Sequence, residues 1–187
     1  SKKIASGADA IVLDVKCGNG SFMPDPDRAR QLAQTMVRIG KLAGRRVAAL
    51  ISGMDQPLGL YVGNSLEVIE AIEVLKGRQK GDLLELSICL GAKMLVLAER
   101  SPDIKAARDL LEKQLTSGAG LDYLRQIISG QGGDQSVVDD YGLFPQPACR
   151  LELKAEVNGF LYQMDTAAIG HAFVVAGGGR IKKEDVI

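Results

Sequence analysis

The run Ala10-Ile11-Val12-Leu13-Asp14-Val15-Lys16-Cys17-Gly18-Asn19-Gly20-Ser21-Phe22-Met23-Pro24 constrains the fold more than any other part of the chain. An apolar stretch of strand length ends in a glycine turn, and a helical pattern follows. In open α/β sheets, ligands bind just beyond the carboxyl ends of the strands. Gly18 and Gly20 permit a sharp turn and a close backbone approach to a ligand. Phe22 and Met23 are unusual choices for a solvated loop. On shape alone the segment also reads as a plain βα turn whose Phe22 packs beneath the next helix, because a lone glycine turn is weakly specific.

The pattern around this run is that of an α/β protein. Residues 1–8 read as the end of a helix, with Gly7 as a stop, and residues 10–15 as the first strand. Asp25 or Asp27 caps a helix that reaches about Ala43, striped by Leu32, Met36, Ile39 and Ala43. Gly44 ends it. Residues 47–51 form a second strand, apolar throughout as expected of a strand covered on both faces. Strand, helix and strand make a right-handed βαβ unit. A loop rich in Gly and Pro follows over residues 52–63. Asn64, with Glu67 in the reciprocal position, caps a helix ending near Lys76, and Asp82 with Glu85 caps another. The latter is striped by Leu83, Leu86, Leu90, Met94 and Leu97. Ser101-Pro102 opens a fourth helix that ends near Ser117. A shorter helix covers about residues 121–129, and a short turn starts at Ser136.

Phe144-Pro145-Gln146-Pro147 reads as a linker, after which the periodicity alternates. Leu151, Leu153, Ala155 and Val157 share one strand face, Asn158-Gly159 is a hairpin signal, and residues 160–164 return. The expected organisation is the end of a helical domain at 1–8, a partial α/β domain at 9–147 with a parallel sheet flanked by helices, and the start of a small α+β domain at 148–187. Two strands alone do not make a stable sheet. The chain begins without Met and ends in an apolar pattern at Val186-Ile187, so its remaining strands are expected from sequence outside it.

Composition narrows the function classes. Hydrophobic residues make up 46% and aromatic residues 4%, with no Trp, so the core must be aliphatic. The 23 basic and 23 acidic residues cancel and are intermixed, which leaves no clustered basic face for nucleic acid. No apolar run approaches the ~20 residues that span a bilayer. No signal-peptide pattern is present. Cys17, Cys89 and Cys149 are far apart and lack metal-ligand spacing. They read as buried thiols in a reducing compartment, the cytoplasm, and Cys17 beside Lys16 is not read as reactive.

The wording of several segments is more specific than their shape. They are Asp14-Val15-Lys16 with Gly18-Asn19-Gly20-Ser21-Phe22-Met23, and Ser1-Lys2-Lys3-Ile4-Ala5 just before it. Further along come Met54-Asp55-Gln56-Pro57-Leu58-Gly59, Val62-Gly63-Asn64-Ser65-Leu66-Glu67-Val68 and Gln131-Gly132-Gly133-Asp134. The tail adds Gly177-Gly178-Gly179-Arg180 and Lys182-Lys183-Glu184-Asp185. In order and along the whole chain, these segments resemble the pyrimidine-nucleoside and thymidine phosphorylases. The resemblance implies a pentosyltransferase of pyrimidine metabolism that takes a pyrimidine nucleoside and inorganic phosphate as substrates. Phosphate attacks the sugar C1′, and the base leaves with negative charge, giving free base and (deoxy)ribose 1-phosphate. It also implies a homodimer that closes its domains around substrate.

The same resemblance implies the site residues. Lys2 contacts the base, where a fixed ammonium stabilises charge that develops in the transition state, and Lys3 faces solvent. Phe22 and Met23 lie beside the base, with core packing as the alternative. Leu58 and Tyr61 through their carbonyls, and Glu70 through its carboxylate, hold potassium, sodium or calcium, an all-oxygen set of the kind hard cations favour. The alternative for Glu70 is an exposed helix residue paired with a neighbour. No catalytic side chain is assigned. Asp14 and Lys16 pair or shape the cleft, and His171 reads as structural. Gly177-Gly178-Gly179-Arg180 reads as a flexible helix end. The family's Lys-x-Ser glycine-rich phosphate loop has no counterpart in these residues, nor do its base-binding Arg and Ser, so the 187 residues alone are expected to be inactive. The alternatives are a strict thymidine phosphorylase, an anthranilate phosphoribosyltransferase-like enzyme of the same fold, and a non-catalytic binding or scaffold module. The base-side wording argues against the transferase.

Overall fold

A computed structural model describes residues 2–179. Ser1 and the motif residues Arg180, Lys182, Lys183, Glu184 and Asp185 lie outside the described residues, as does the side chain of Lys2. The elements are α1 (Lys2–Ala5), β1 (Ala10–Cys17), α2 (Pro26–Leu42), β2 (Arg46–Gly53), α3 (Asn64–Leu75), α4 (Asp82–Leu97), α5 (Ile104–Ser117), α6 (Ala119–Gly130) and α7 (Thr166–Phe173). Short 3-10 turns occupy Gln135–Val138 and Tyr141–Leu143, and a π-type turn follows α7 at Val174–Gly178.

The fold is α/β. β1 and β2 pair in parallel from Ala10 opposite Arg46 to Cys17 opposite Gly53, so their carboxyl ends stop at one edge. Ile11, Leu13 and Val15 alternate along β1 and bury with Val47 against Ala29 and Ala33 of α2. Helices α2 and α4 both pack on the strands, and α5 packs on α4.

Several expectations are corrected. The buried line of α2 is Ala29, Ala33 and Gly40, with Leu32 and Met36 at its margin, while Ile39 and Ala43 are exposed. Small residues bring this helix close to the sheet: a Cβ on Gly40 would lie 2.3 Å from Val47 Cγ2. Both strands run past their expected ends, because ladder pairing continues through Lys16 with Ser52 and Cys17 with Gly53. β2 is not covered on both faces. Only Val47 is buried, and Ala49 and Ile51 open onto a cavity of about 610 Å³ shared with Ala33, Val37 and Leu42. The buried line of α4 is Ile88 and Ala92, and Met94 is exposed.

The caps differ in an instructive way. Asp25 caps α2 as expected, accepting from the Arg28 N–H at 2.8 Å. Helices α3 and α4 instead start after Gly63 (φ +141) and Gly81 (φ +129), with no side-chain cap. Glu67 still reaches back to the Gly63 N–H at 3.1 Å. Glu85 does not reach back. Both its oxygens accept from Arg108 at 2.8 Å, and this guanidinium holds the carboxyl below its usual range. Asp103 rather than Ser101-Pro102 opens α5, accepting from the Ala106 N–H at 2.8 Å.

The largest departure follows the linker. Residues 148–165 form no strand, and Leu151, Leu153, Val157, Phe160 and Tyr162 are exposed. A lone hairpin with no helix or sheet to lie on is marginal in water. The chain instead runs to Asp165, which caps α7 through the Ala168 N–H at 2.9 Å. Cys149 is exposed, and Cys17 and Cys89 are half-buried, so none is the fully buried thiol expected.

Candidate functional site at the carboxyl edge of the sheet

Beyond β1, the backbone turns through Gly18 (φ +134), which donates its N–H to the Met23 carbonyl at 3.2 Å. No side chain fits at Gly18, because a Cβ there would lie 2.6 Å from the Met54 carbonyl carbon. The loop after β2 is pressed against this turn. Met54 donates to the Cys17 carbonyl at 2.6 Å, and Gly20 donates to the Met54 carbonyl at 2.9 Å. The Asn19 N–H donates to Asp55 Oδ1 at 2.8 Å. Two βα loops are thereby fused into one rim.

Phe22 stands on that rim fully exposed, at 100% of its free surface. It does not pack beneath α2, because Met23 takes that place against the core. Asp14 and Lys16, on one face at the strand end, pair at 2.6 Å, and Asp14 also accepts from the Ser52 hydroxyl. His171 lies on α7 and is exposed.

The loop over residues 57–62 wraps the first turns of α3, and Glu70 projects into it. Glu70 is 2% exposed, so the reading of it as an exposed, ion-paired helix residue is set aside. Its Oε1 accepts from the Leu60 N–H at 2.7 Å and from the Gln79 side-chain amide. Its Oε2 accepts from the Tyr61 N–H at 3.4 Å. Gly59 leaves the carboxylate its space: a Cβ there would lie 2.0 Å from Oε2. Leu58, Tyr61 and Glu70 line one cavity of about 310 Å³ together with Thr166 and Ile169 of α7. Among the described residues, no lysine or arginine forms an ion pair with Glu70. A buried carboxylate is costly unless its charge is compensated. Here three N–H donors face the carboxylate, and no basic side chain among the described residues neutralises it. Its oxygens remain the donor type that suits a hard cation.

The far end of α3 is anchored separately. Lys76 Nζ donates to the Val138 carbonyl at 2.6 Å and to the Tyr141 hydroxyl at 3.1 Å, and that hydroxyl donates to Glu73. Burial, reinforced by the Glu73 carboxylate, pushes the Tyr141 phenol up to about 12. The helix that carries Glu70 is thus pinned at both ends.

Sequence reasoning missed Asn19, Gln79, Thr166 and Ile169. Asn19 was visible as the residue between two glycines. Thr166 and Ile169 gave no local signal, because their place in the site depends on a contact across more than a hundred residues of chain.

Residues 1–121 match the family model described as "Glycosyl transferase family, a/b domain". The pyrimidine-nucleoside phosphorylases of Staphylococcus aureus (strain USA300) and of Geobacillus stearothermophilus are each 47% identical to this chain over 187 residues, all of its length. The chain spans 43% of the length of these relatives.

Proposed function

Because the chain belongs to the glycosyl transferase family defined by this a/b domain, we propose that the protein carrying it is a pyrimidine-nucleoside phosphorylase. The observation that carries the reading is the 47% identity to proteins of that name, sustained over all 187 residues. The reaction is phosphorolysis of uridine- and thymidine-type nucleosides. A phosphate oxygen bonds to the sugar C1′, the C1′–N bond breaks, and its electron pair leaves with the pyrimidine. The products are free base and (deoxy)ribose 1-phosphate.

Within this reading, Lys2 offers its ammonium to the base as negative charge accumulates there, the kind of aimed charge that lowers a barrier. The exposed ring of Phe22 covers the base and limits water, and Met23 supports it from the core side. Leu58, Tyr61 and Glu70 hold potassium, sodium or calcium, whose charge compensates the buried carboxylate and fixes the loop to α3. The phosphate site is supplied by residues beyond these 187. The protein works as a cytoplasmic homodimer, without nucleic acid or a membrane.

The test is release of free uracil and thymine when the purified protein meets uridine or thymidine with phosphate. Phosphate-dependent release of base is expected. Transfer of a phosphoribosyl group to an aromatic amine, without any phosphorolysis, would overturn the reading.

A further inference from the structure

The Asn19 side chain is not used by the reaction as proposed, yet both its nitrogen and its oxygen bond to one distant segment. Its Nδ2 donates to the Met164 carbonyl at 2.9 Å, and its Oδ1 accepts from the Thr166 N–H at 3.0 Å. The Asn19 N–H is held by Asp55 Oδ1 at 2.8 Å. One residue therefore joins the turn after β1, the loop after β2 and the start of α7. The contact is close-fitting: a Cβ on Gly20 would lie 2.6 Å from Thr166 Cγ2. Thr166 is 8% exposed, while the segment before it is largely open to solvent. Beyond α7, Asn64 Nδ2 donates to the Gly178 carbonyl at 3.4 Å, and the Phe173 ring lies against Gly63.

The strap from Met164 to Gly178 is thus fastened at both ends across the mouth of the Glu70 loop. Between the fastenings, Thr166, Ile169 and Gly170 form a wall of the cavity that Leu58, Tyr61 and Glu70 also line. We infer that Asn19 is a positioning residue for the cation site: it docks the strap, and the docked strap completes the cavity around Glu70. Cation binding and strap docking are then linked, each favouring the other by the same factor. The inference rests on the cation reading of Glu70 given above. It adds a residue that touches neither ion nor substrate.

The linkage predicts a specific signature. Loss of both Asn19 side-chain bonds lowers the docked fraction, and apparent cation affinity falls in proportion to that fraction. In Asn19→Ala of the full-length protein, the half-saturating potassium or calcium concentration should rise about tenfold, with the response restored at high cation. Hydrogen exchange supplies a readout independent of activity. Added cation should slow amide exchange across α7 in the unaltered protein, and Glu70→Gln should abolish that slowing. Asn19→Ala should speed exchange at Thr166 without cation. Asn19→Asp keeps the acceptor for the Thr166 N–H and should recover part of the protection. Cation binding that is lost in Glu70→Gln but unchanged in Asn19→Ala would overturn the linkage alone. Faster Thr166 exchange in Asn19→Ala, with no cation effect in the unaltered protein, would remove the cation site and the linkage together.

Discussion

At the scale of single residues, exposure separates contacts that hold the fold from contacts kept for a ligand. Phe22 is fully exposed, so Phe22→Ala should leave stability within about 0.5 kcal/mol. If its ring covers a pyrimidine, the same change should raise the nucleoside KM by the worth of a base–aromatic contact, about 1–3 kcal/mol. Thermal melts and steady-state kinetics on one preparation check both. Glu70 is the reverse case. Glu70→Gln keeps the shape but sets amide hydrogens among the Leu60 and Tyr61 N–H groups and the Gln79 amide, which are donors already. It should cost about 1–3 kcal/mol and abolish the response to added cation, whereas Tyr61→Ala keeps its carbonyl and should leave that response nearly intact. Lys2→Ala should lower kcat/KM by on the order of 10²–10³, and Lys3→Ala far less; equal effects would withdraw the assignment of Lys2. Residue types alone do not mark Leu58, Tyr61 and Glu70 as a set. The Gly59-Leu60-Tyr61 backbone that surrounds the carboxylate exists only once the loop has folded, so a resemblance was needed to single them out.

At the scale of elements, the signals that could be read locally are those made of local physics. Asp25 caps α2 because its side chain reaches an N–H three residues on, and Gly77 (φ +71) ends α3 because its backbone needs the left-handed region. Apolar stripes were less legible. Two strands cannot cover every apolar residue of the helices packed on them, so α2 and α4 present their small residues, Ala33, Gly40 and Ala92, where approach is closest. Capping chemistry predicts that Asp103→Ala, which loses the bond to the Ala106 N–H, costs about 1 kcal/mol, while Ser101→Ala costs much less. Denaturant midpoints of the two variants check the assignment. The junction of α3 with the 3-10 turn at Tyr141 carries a pH signature. Tyr141 titrates at about 12 in the folded chain against an ordinary 10.0. Between those values the unfolded chain gives up the proton first, so stability from this site is complete below pH 10 and is lost as pH rises toward 12. Tyr141→Phe should remove this alkaline loss, and phenolate absorbance should show one late-titrating tyrosine that the variant lacks.

At the scale of the whole molecule, the α/β class was legible because β1 and β2 are largely apolar runs of strand length that end at glycines. The path of residues 148–179 was not legible, because alternation in sequence makes a strand only when another surface receives its apolar face. Here Leu151, Leu153 and Phe160 find none, and the next ordered element, α7, is placed by Asn19 far upstream. The same balance governs what the 187 residues do by themselves. Among the described residues they hold one parallel pair of strands, an open apolar cavity beside Ile51, and a run of exposed Leu, Phe and Tyr side chains. Exposed apolar surface of this kind favours association with other apolar matter. Isolated, the chain should bind a hydrophobic dye such as anilinonaphthalene sulfonate and should not release uracil or thymine from nucleosides with phosphate. The Lys-x-Ser loop that the resemblance assigns to phosphate is absent from its sequence. On the function proposed above, Glu70 serves an ion and Phe22 a base, and neither gives an attacking phosphate anything to bind. Dye binding with no turnover is the expected result. Phosphorolysis by the isolated chain would mean that phosphate is held by residues within it, and the division of the site argued above would then be wrong.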